Sequence, residues 1–402
     1  MFWHCIHIID IALWLLMAAS VVYILFFALV STLWKKRVSR LTKYLTGQVL
    51  SLRKKEHFSY LILYPAYNED RVIVNSVQKF LAQYYPYNSF HVAVISDHMQ
   101  PETNQKLIEL PITLLQPVFK KSSKAKAMQY AMDQIKDDYD FIVILDADNV
   151  VEPNFLEQLN TECAKGYKAI QCHRCAKNSN NDVAVLDGVS EEINNTIFRK
   201  AHNRLGLSAA LIGSGMCFDY QLFKENVYKL SSVGEDKELE AHLLLQKVFI
   251  KYEPNIHVFD EKVSNKDNFQ KQRLRWMTAQ IQSLFRMLPY IPKAIMTFNL
   301  DYIDKTIQQA LIPRSMLVVG AFGMSLVMTI FSLFFSLSWC IKWWCLFLAV
   351  CIALYIATPK QLRRHSVFGK ILSLPTLVWK MLLNILKIDR KNTDFIHTSH
   401  DK

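Results

Sequence analysis

Carboxylates that close apolar runs are the first chemistry visible in this 402-residue chain. The run FIVILDAD ends on Asp146 and Asp148. Alternate residues of a strand point the same way, so both carboxylates can face one site. Hard oxygen donors of this kind suit Mg2+ or Mn2+, and such an ion can bridge a diphosphate. The competing reading is a pair of loop acids that cap the strand. FHVAVISD ends likewise on Asp97, which reads equally as a helix N-cap. Glu235 and Asp236 follow the stretch IGSGMCF and open the helical KELEAHLLLQ. Acids at a helix start are ordinary dipole partners. The functional alternative is a general base that takes the proton of an acceptor hydroxyl. Gln272-Arg273-Leu274-Arg275-Trp276 sets two guanidiniums, whose forks fit phosphate oxygens, beside an indole face that stacks on a sugar ring. Its competing reading is an amphipathic helix with solvated arginines and a Trp anchored at a membrane. His173 and Arg174 lie between these groups in sequence. They read either as contacts to substrate or as a core His and a surface Arg.

These side chains need a scaffold, and the pattern between about 57 and 312 supplies one. YLILYPAY, FHVAVISD, ITLLQPV and FIVILDAD are short apolar runs separated by helical stretches such as DRVIVNSVQKFLAQY and KAKAMQYAMDQI. Such alternation predicts a parallel, doubly wound α/β sheet. Ligands bind off the carboxyl ends of strands in such sheets. Three of those ends carry polar clusters: Tyr67-Asn68-Glu69, Asp97, and Asp146-Ala147-Asp148. No GxGxxG follows a strand and no GxxxxGK[ST] occurs, so dinucleotide and P-loop folds have no support. HExxH and GxSxG are also absent.

The formal charge is +12, which points loosely at a polyanion or an anionic membrane surface. Its distribution decides between them. Residues 35–60 carry eight Lys/Arg against one Glu, and residues 360–402 carry nine Lys/Arg against three Asp. Residues 61–359 balance 30 against 30, so the middle is neutral and nucleic acid is not an expected partner. Both basic flanks adjoin apolar runs. Residues 11–34 hold no charge and are long enough to cross a bilayer. Residues 315–359 hold only Lys342 and fit a helical hairpin, with spans at about 315–338 and 343–358 and a turn marked by Trp339, Trp343 and Trp344. The basic residues after the first run and around the hairpin place the N-terminus outside and residue 35 onward in the cytoplasm. The segments 280–298 and 371–388 are apolar but interrupted, and read as helices lying in the membrane plane. The basic collars predict contact with anionic membrane lipids. The eight cysteines read as structural, and Cys172 and Cys175 form a lone CxxC that does not make a zinc site.

The series Asp97, Asp146-x-Asp148, Asp236 and QRLRW resembles the D, DxD, D, Q(Q/R)xRW signature of the membrane-bound family 2 glycosyltransferases, the branch of cellulose, chitin and hyaluronan synthases. YPAYNED, KAKAMQYAM, DADNVVEPNFL, GSGMCF, GED and FDEKV fit the same pattern, and the resemblance covers roughly residues 60–320. It implies an α/β GT-A fold and transfer from a nucleotide-diphosphate sugar, with a UDP-sugar the expected donor. Under it, Tyr67, Glu69 and Asp97 hold the base and ribose, and Lys124 lies near the nucleotide, although Ser123 stands where a Gly often precedes it. Asp146 contacts the nucleotide and Asp148 the metal, Mg2+ or Mn2+. Gln272, Arg273 and Arg275 border the diphosphate. Trp276, with Gly213 and Ser214, meets the acceptor. Asp236 is the base, with Glu235 beside it.

The resemblance further implies an inverting, metal-dependent transferase that makes a β-linkage on a glycan or lipid-linked acceptor. The expected setting is an inner or plasma membrane, for cell-surface polysaccharide or glycolipid. A processive synthase working with an export partner or as a homo-oligomer is the second reading, and a non-catalytic membrane scaffold the third. The organisation it predicts is a membrane helix at 1–34, a basic linker at 35–56 and a catalytic domain at 57–279. Interfacial helices at 280–312, a membrane hairpin at 313–359 and a basic tail with an amphipathic helix at 360–402 follow.

Overall fold

A computed structural model describes residues 2–34, 53–178, 182–232, 234–262, 266–333 and 337–363. The basic stretch 35–52 and the expected in-plane helix at 371–388 lie outside the described residues.

An eight-stranded sheet forms the centre of residues 57–279. Its first strands are β1 (Tyr60–Tyr67), β2 (Phe90–Asp97), β3 (Thr113–Leu115) and β4 (Phe141–Ile144). These pair in parallel in the order β3-β2-β1-β4. The helices α1 (Phe2–Leu33), α2 (Ile73–Leu81), α3 (Pro101–Ile108) and α4 (Lys124–Gln134) belong to the same part of the chain. Ser123 starts α4, its hydroxyl accepting from the Lys126 N–H at 3.2 Å, which satisfies one of the free N–H groups of the first turn.

Beyond β4 the expected all-parallel sheet gives way to a mixed one. β5 (Val150–Val151), α5 (Phe155–Ala164), β6 (Ala169–Ala176), α6 (Asp182–Asn194), β7 (Met216–Asp219), α7 (Tyr220–Val227), α8 (Glu235–Leu245) and β8 (Ile250–Asp260) follow in sequence. β7 inserts antiparallel between β4 and β6, β6 pairs with β8 in parallel, and β5 pairs with β8 antiparallel. Alternating apolar runs give no strand direction; here the connection from β6 through α6 re-enters the sheet at the end where β6 leaves it, which sets β7 antiparallel. The register between β6 and β8 slips after Cys172, opposite a stretch containing Pro254, which has no N–H to give the ladder.

Both sheet faces are dry. On one, Leu61, Leu63 and Ile142 pack against Ala127, Met128 and Ala131 of α4; on the other, Tyr60, Ile62 and Tyr64 pack with Val77 and Phe80 of α2. Strand alternation sorts these neighbours to opposite sides, and each such burial is worth about 1.5–3 kcal/mol.

After the sheet come α9 (Lys266–Met287), α10 (Ile291–Met296), α11 (Leu300–Ala310), α12 (Arg314–Ser332) and α13 (Ser338–Ala357). α9 runs through residue 279 unbroken, so QRLRW and the first part of the 280–298 segment share one helix. Three helices are long and apolar enough to cross a membrane: Ile6–Leu33, Arg314–Ser332 and Ser338–Ala357. The hairpin differs from expectation in its turn. Trp339, Lys342, Trp343 and Trp344 lie inside α13, not between the spans. The reason is Asp10, which falls within the first apolar helix, is nearly fully buried, and takes Lys342 as its partner and the Trp343 indole N–H at 2.8 Å. A buried carboxylate needs such partners.

α6 continues through a π-helical segment, Asn195–Ala201, into His202–Arg204, and this rod packs on α1. His202 is fully buried. It stacks on Phe27 at 3.8 Å and meets the Tyr23 hydroxyl at 2.9 Å, and that hydroxyl donates to Asp304 of α11 at 2.6 Å. The N-terminal helix is thereby fastened to the sheet domain through side chains.

Candidate functional site

The carboxyl ends of β1, β2 and β4 open on a cavity of about 760 Å³. Its wall includes Tyr67, Glu69 and Asp97 from β1 and β2 and the turns after them, and Asp146 and Asp148 after β4. Asn68 and His98, just past β1 and β2, both adopt left-handed backbone with φ of 54° and 57°. The Asn68 N–H donates to the Asp97 carbonyl at 3.2 Å, and this pair of sharp turns holds the two strand ends together. Asp97 is nearly buried, and the His98 ring nitrogen lies 2.6 Å from its carboxylate.

Lys124, at the start of α4, reaches across to Asp146 and donates to the Gly213 carbonyl at 2.7 Å. Burial disfavours both charges, yet their mutual attraction wins: the Lys124 ammonium is raised from its ordinary range and the Asp146 carboxyl lowered, with Arg174 and Arg275 adding to the latter. Asp146 is therefore a carboxylate at neutral pH. Asp148 is more buried. Its oxygens accept from the Glu261 N–H at 2.8 Å and the Asn149 amide at 3.0 Å, which fixes the direction of the carboxylate.

Glu235 and Asp236 open α8 on the far side of Lys124, with Lys124 Nζ 3.9 Å from Glu235. A methyl carbon at Gly213 would lie 3.9 Å from the Glu235 carboxyl and 4.0 Å from that of Asp236. The bare backbone of Gly213, with φ of +84°, thus forms the floor under both acids. Burial, opposed by Lys124 and reinforced by the Asp236 charge, pushes the Glu235 carboxyl up to about 7. Gly234 sets this helix start against α9, where any Cβ would come within 2.8 Å of the Ala279 methyl.

From α9, Gln272, Arg273, Arg275 and Trp276 all reach the cavity wall. Arg275 is close enough to lower Asp146 and Glu235 electrostatically. Arg273 is committed elsewhere: it donates to Asp187 of α6 at 2.6 Å and stands over the Trp276 ring at 4.8 Å. Its guanidinium braces the indole, in addition to the expected place beside a diphosphate. Gly213 lines the cavity, but Ser214 is fully buried and does not. His173 and Arg174 part company, as neighbours on a strand must. His173 turns to Glu192 and Tyr252, at 2.8 and 2.9 Å. Arg174 lines the cavity. Cys172 sits in the core and Cys175 only half-buried beside His173, so the CxxC pair does not converge.

Residues that the motif pattern did not single out complete the wall. Glu191 of α6 is nearly buried and binds Arg174 at 2.9 Å and Arg199 at 3.0 Å. Asp260, at the end of β8, lies 3.4 Å from Arg174 and 3.0 Å from Lys262. Burial would raise the Glu191 carboxyl, but Arg174, Arg199 and Lys262 hold it well below the usual range. This network stands directly behind Asp146. Arg174 and the FDEKV stretch are the parts of it visible in the sequence; Glu191 and Arg199 carry no local signal.

The arrangement brings together, on the wall of one cavity, two carboxylates past a strand end, cations able to meet a diphosphate, a second carboxylate pair and an indole. No curated protein matches the chain by sequence. Among solved structures, it is similar to the mannosyltransferase PcManGT from Pyrobaculum calidifontis, in complex with GDP-Man and Mn2+. The identity is 15%, the match covers 86% of this chain and 98% of that one, and the TM-score is 0.52. Residues 1–349 of TarS from S. aureus align at 14% identity over 82% of this chain and 90% of that one, with a TM-score of 0.42. The mixed sheet is that of the GT-A fold. Residues 59–279 match the family model described as glycosyltransferase like family 2. That match spans more than half of the chain, and the chain belongs to this glycosyltransferase family.

Proposed function

We propose that the protein is an inverting glycosyltransferase that moves a sugar from a nucleotide-diphosphate sugar to a glycan or lipid-linked acceptor at the cytoplasmic face of a membrane. The observation that carries this reading is one cavity wall that holds Asp146 and Asp148, Lys124 set between Asp146 and Glu235, Asp236 next to Glu235, and Arg275 and Trp276. GDP-Man in the similar PcManGT structure supports a nucleotide sugar as donor.

Asp146 and Asp148 supply oxygen donors that fit Mg2+ or Mn2+, with Asp146 held ionised by Lys124. Such an ion would offset the charge that grows on the departing diphosphate. Arg275 and Gln272, facing the same space, stabilise that charge from the protein side. Trp276 offers its ring to the acceptor sugar, and the Arg273 guanidinium keeps the ring in place. Asp236 takes the proton of the attacking hydroxyl as the sugar passes to it. Glu235 is neutral below about pH 7 and sets a second charge beside Asp236 only above it. One displacement at the anomeric carbon converts an α-linked donor to a β-linked product. Proton NMR of the newly formed glycoside tests this: a β-anomer is expected, and an α-anomer from an α-donor would refute the single displacement.

A further inference from the structure

We infer that the acceptor is a membrane lipid with a phosphate-bearing headgroup, its tail lying in a crevice between α12 and α13 and its phosphate meeting Arg314. This deepens the transferase reading above and rests on it.

The cavity does not end at Trp276. It continues past Ile312 and Pro313 and runs up between the membrane helices, where Val318, Val319, Phe347, Cys351 and Leu354 line it. Phe347 lies ten residues before the end of α13, about 15 Å along the helix at 1.5 Å per residue. The wall changes character along this path. On the sheet side it is crowded with acids and bases. Beyond Arg314 it is mainly apolar, with the hydroxyls of Ser315, Tyr355 and Thr358 set among Val318, Val319, Phe347 and Leu354, and the next lining charge is Arg363 just past the end of α13. The apolar side chains there are half-buried, and Tyr355 beside them is 51% exposed, so the crevice opens sideways along the helix pair. A mainly apolar wall with no charge between Arg314 and Arg363, open to the bilayer, suits a hydrocarbon tail.

Arg314 stands where the two characters meet. One of its terminal nitrogens donates to the Ser190 carbonyl at 3.2 Å and hydroxyl at 3.1 Å. The other, Nη1, is buried without a hydrogen-bond partner. No carboxylate of the described residues forms an ion pair with it. Glu191, the acid that would serve, is already held by Arg174 and Arg199. A buried guanidinium nitrogen left without an acceptor among the described residues, on a side chain that lines the cavity, calls for an anion beside it. A phosphate at this point leaves the tail in the aliphatic crevice and sends the acceptor group toward Trp276 and Asp236. Arg363 adds a second cation at the rim while its Nε donates to the Thr358 carbonyl at 2.8 Å.

Photolabelling of the full chain in maltoside micelles, which carry no phosphate, tests this. Two probes with the same diazirine-bearing tails are compared: phosphatidylglycerol and diacylglycerol. The phosphate probe is expected to label the peptides around 314–319 and 347–355 about tenfold more strongly, the worth of one charge-assisted hydrogen bond. Arg314→Gln removes the difference, Arg314→Lys keeps part of it, and Leu354→Trp, which fills the crevice and leaves Arg314 in place, lowers labelling by both probes. Leu348→Ala, on the outward face of α13, changes nothing. Equal labelling by the two probes, or a phosphate preference that survives Arg314→Gln, overturns the inference. Displacement of the probe by free maltooligosaccharide overturns it as well and identifies a glycan chain as the occupant. Nucleotide release from donor sugars, measured on the same preparation, separates the two levels. Phosphate-dependent labelling without release from any donor removes the transferase reading alone, and release without phosphate-dependent labelling removes the lipid site alone.

Discussion

Glu235→Gln changes one proton and little else, which makes its consequences calculable. The Glu235 side chain is 12% exposed and faces Lys124, Asp236 and Arg275. Its carboxyl is pushed from an ordinary 4.5 up to about 7, first by burial and further by Asp236, with Lys124 and Arg275 opposing. Below pH 4.5 the group is neutral in the folded and unfolded chain alike, and its full contribution to stability is present. Between 4.5 and about 7 the unfolded chain releases the proton while the folded chain keeps it, so stability falls as pH rises. Above about 7 the loss is complete and amounts to about 3 kcal/mol, the shift taken at 1.36 kcal/mol per unit. Gln fills the same space and never ionises. The variant should therefore match the wild type, apart from a constant offset, at pH 4.5 and gain about 3 kcal/mol on it by pH 8. With unfolding entropy near 2.1 cal/mol/K per residue, that is about 4 °C of melting temperature for a chain of this length. Melting curves of both proteins in micelles at half-unit steps from pH 4.5 to 8.5 give the difference directly, and groups titrating elsewhere cancel. A difference that stays flat across the range refutes the placement of Glu235 in a desolvated site beside Asp236.

Gly234→Ala should cost about 1–3 kcal/mol, as overpacking does, because the new methyl meets the Ala279 methyl at 2.8 Å and both are fixed to backbone. Its kcat should fall further than its donor KM rises, since the displaced element carries Glu235 and Asp236; kinetics and a melting curve check both. Glu191→Ala leaves Arg174, Arg199 and Lys262 without their shared carboxylate, and should destabilise the chain by about 3–5 kcal/mol in chemical unfolding. Removing divalent ions with EDTA should abolish sugar transfer, with Mg2+ or Mn2+ restoring it; full activity in EDTA would contradict the roles given to Asp146 and Asp148.

What could be read from the sequence follows from which signals are local. Asp97, Asp146 and Asp148 are legible because each stands at the close of an apolar run, and strand ends are where such sheets bind ligands. QRLRW and GED were visible as short runs of unlike chemistry. Strand direction was not legible: β7 reads like any buried strand, and only the return path of the chain sets it antiparallel between β4 and β6. Nor was the commitment of Arg273 to Asp187, nor the Glu191 network, since their members meet only after α6 folds back over β6. His173 and Arg174 could have been separated beforehand by strand alternation. The role of Asp10 is not legible in the sequence, because one acid at the edge of an apolar run looks like a flank. Its partner Lys342 sits more than 300 residues away, at the one charge of the other apolar block.

Nucleoside diphosphate release by the purified full chain, scored against a panel of nucleotide sugars in the presence of Mg2+ or Mn2+, tests the central claim most directly. One donor should be turned over well above the rest, with Asp148→Ala and Asp236→Asn each losing at least about a hundredfold in rate. No release from any donor, or full release by both variants, would contradict it.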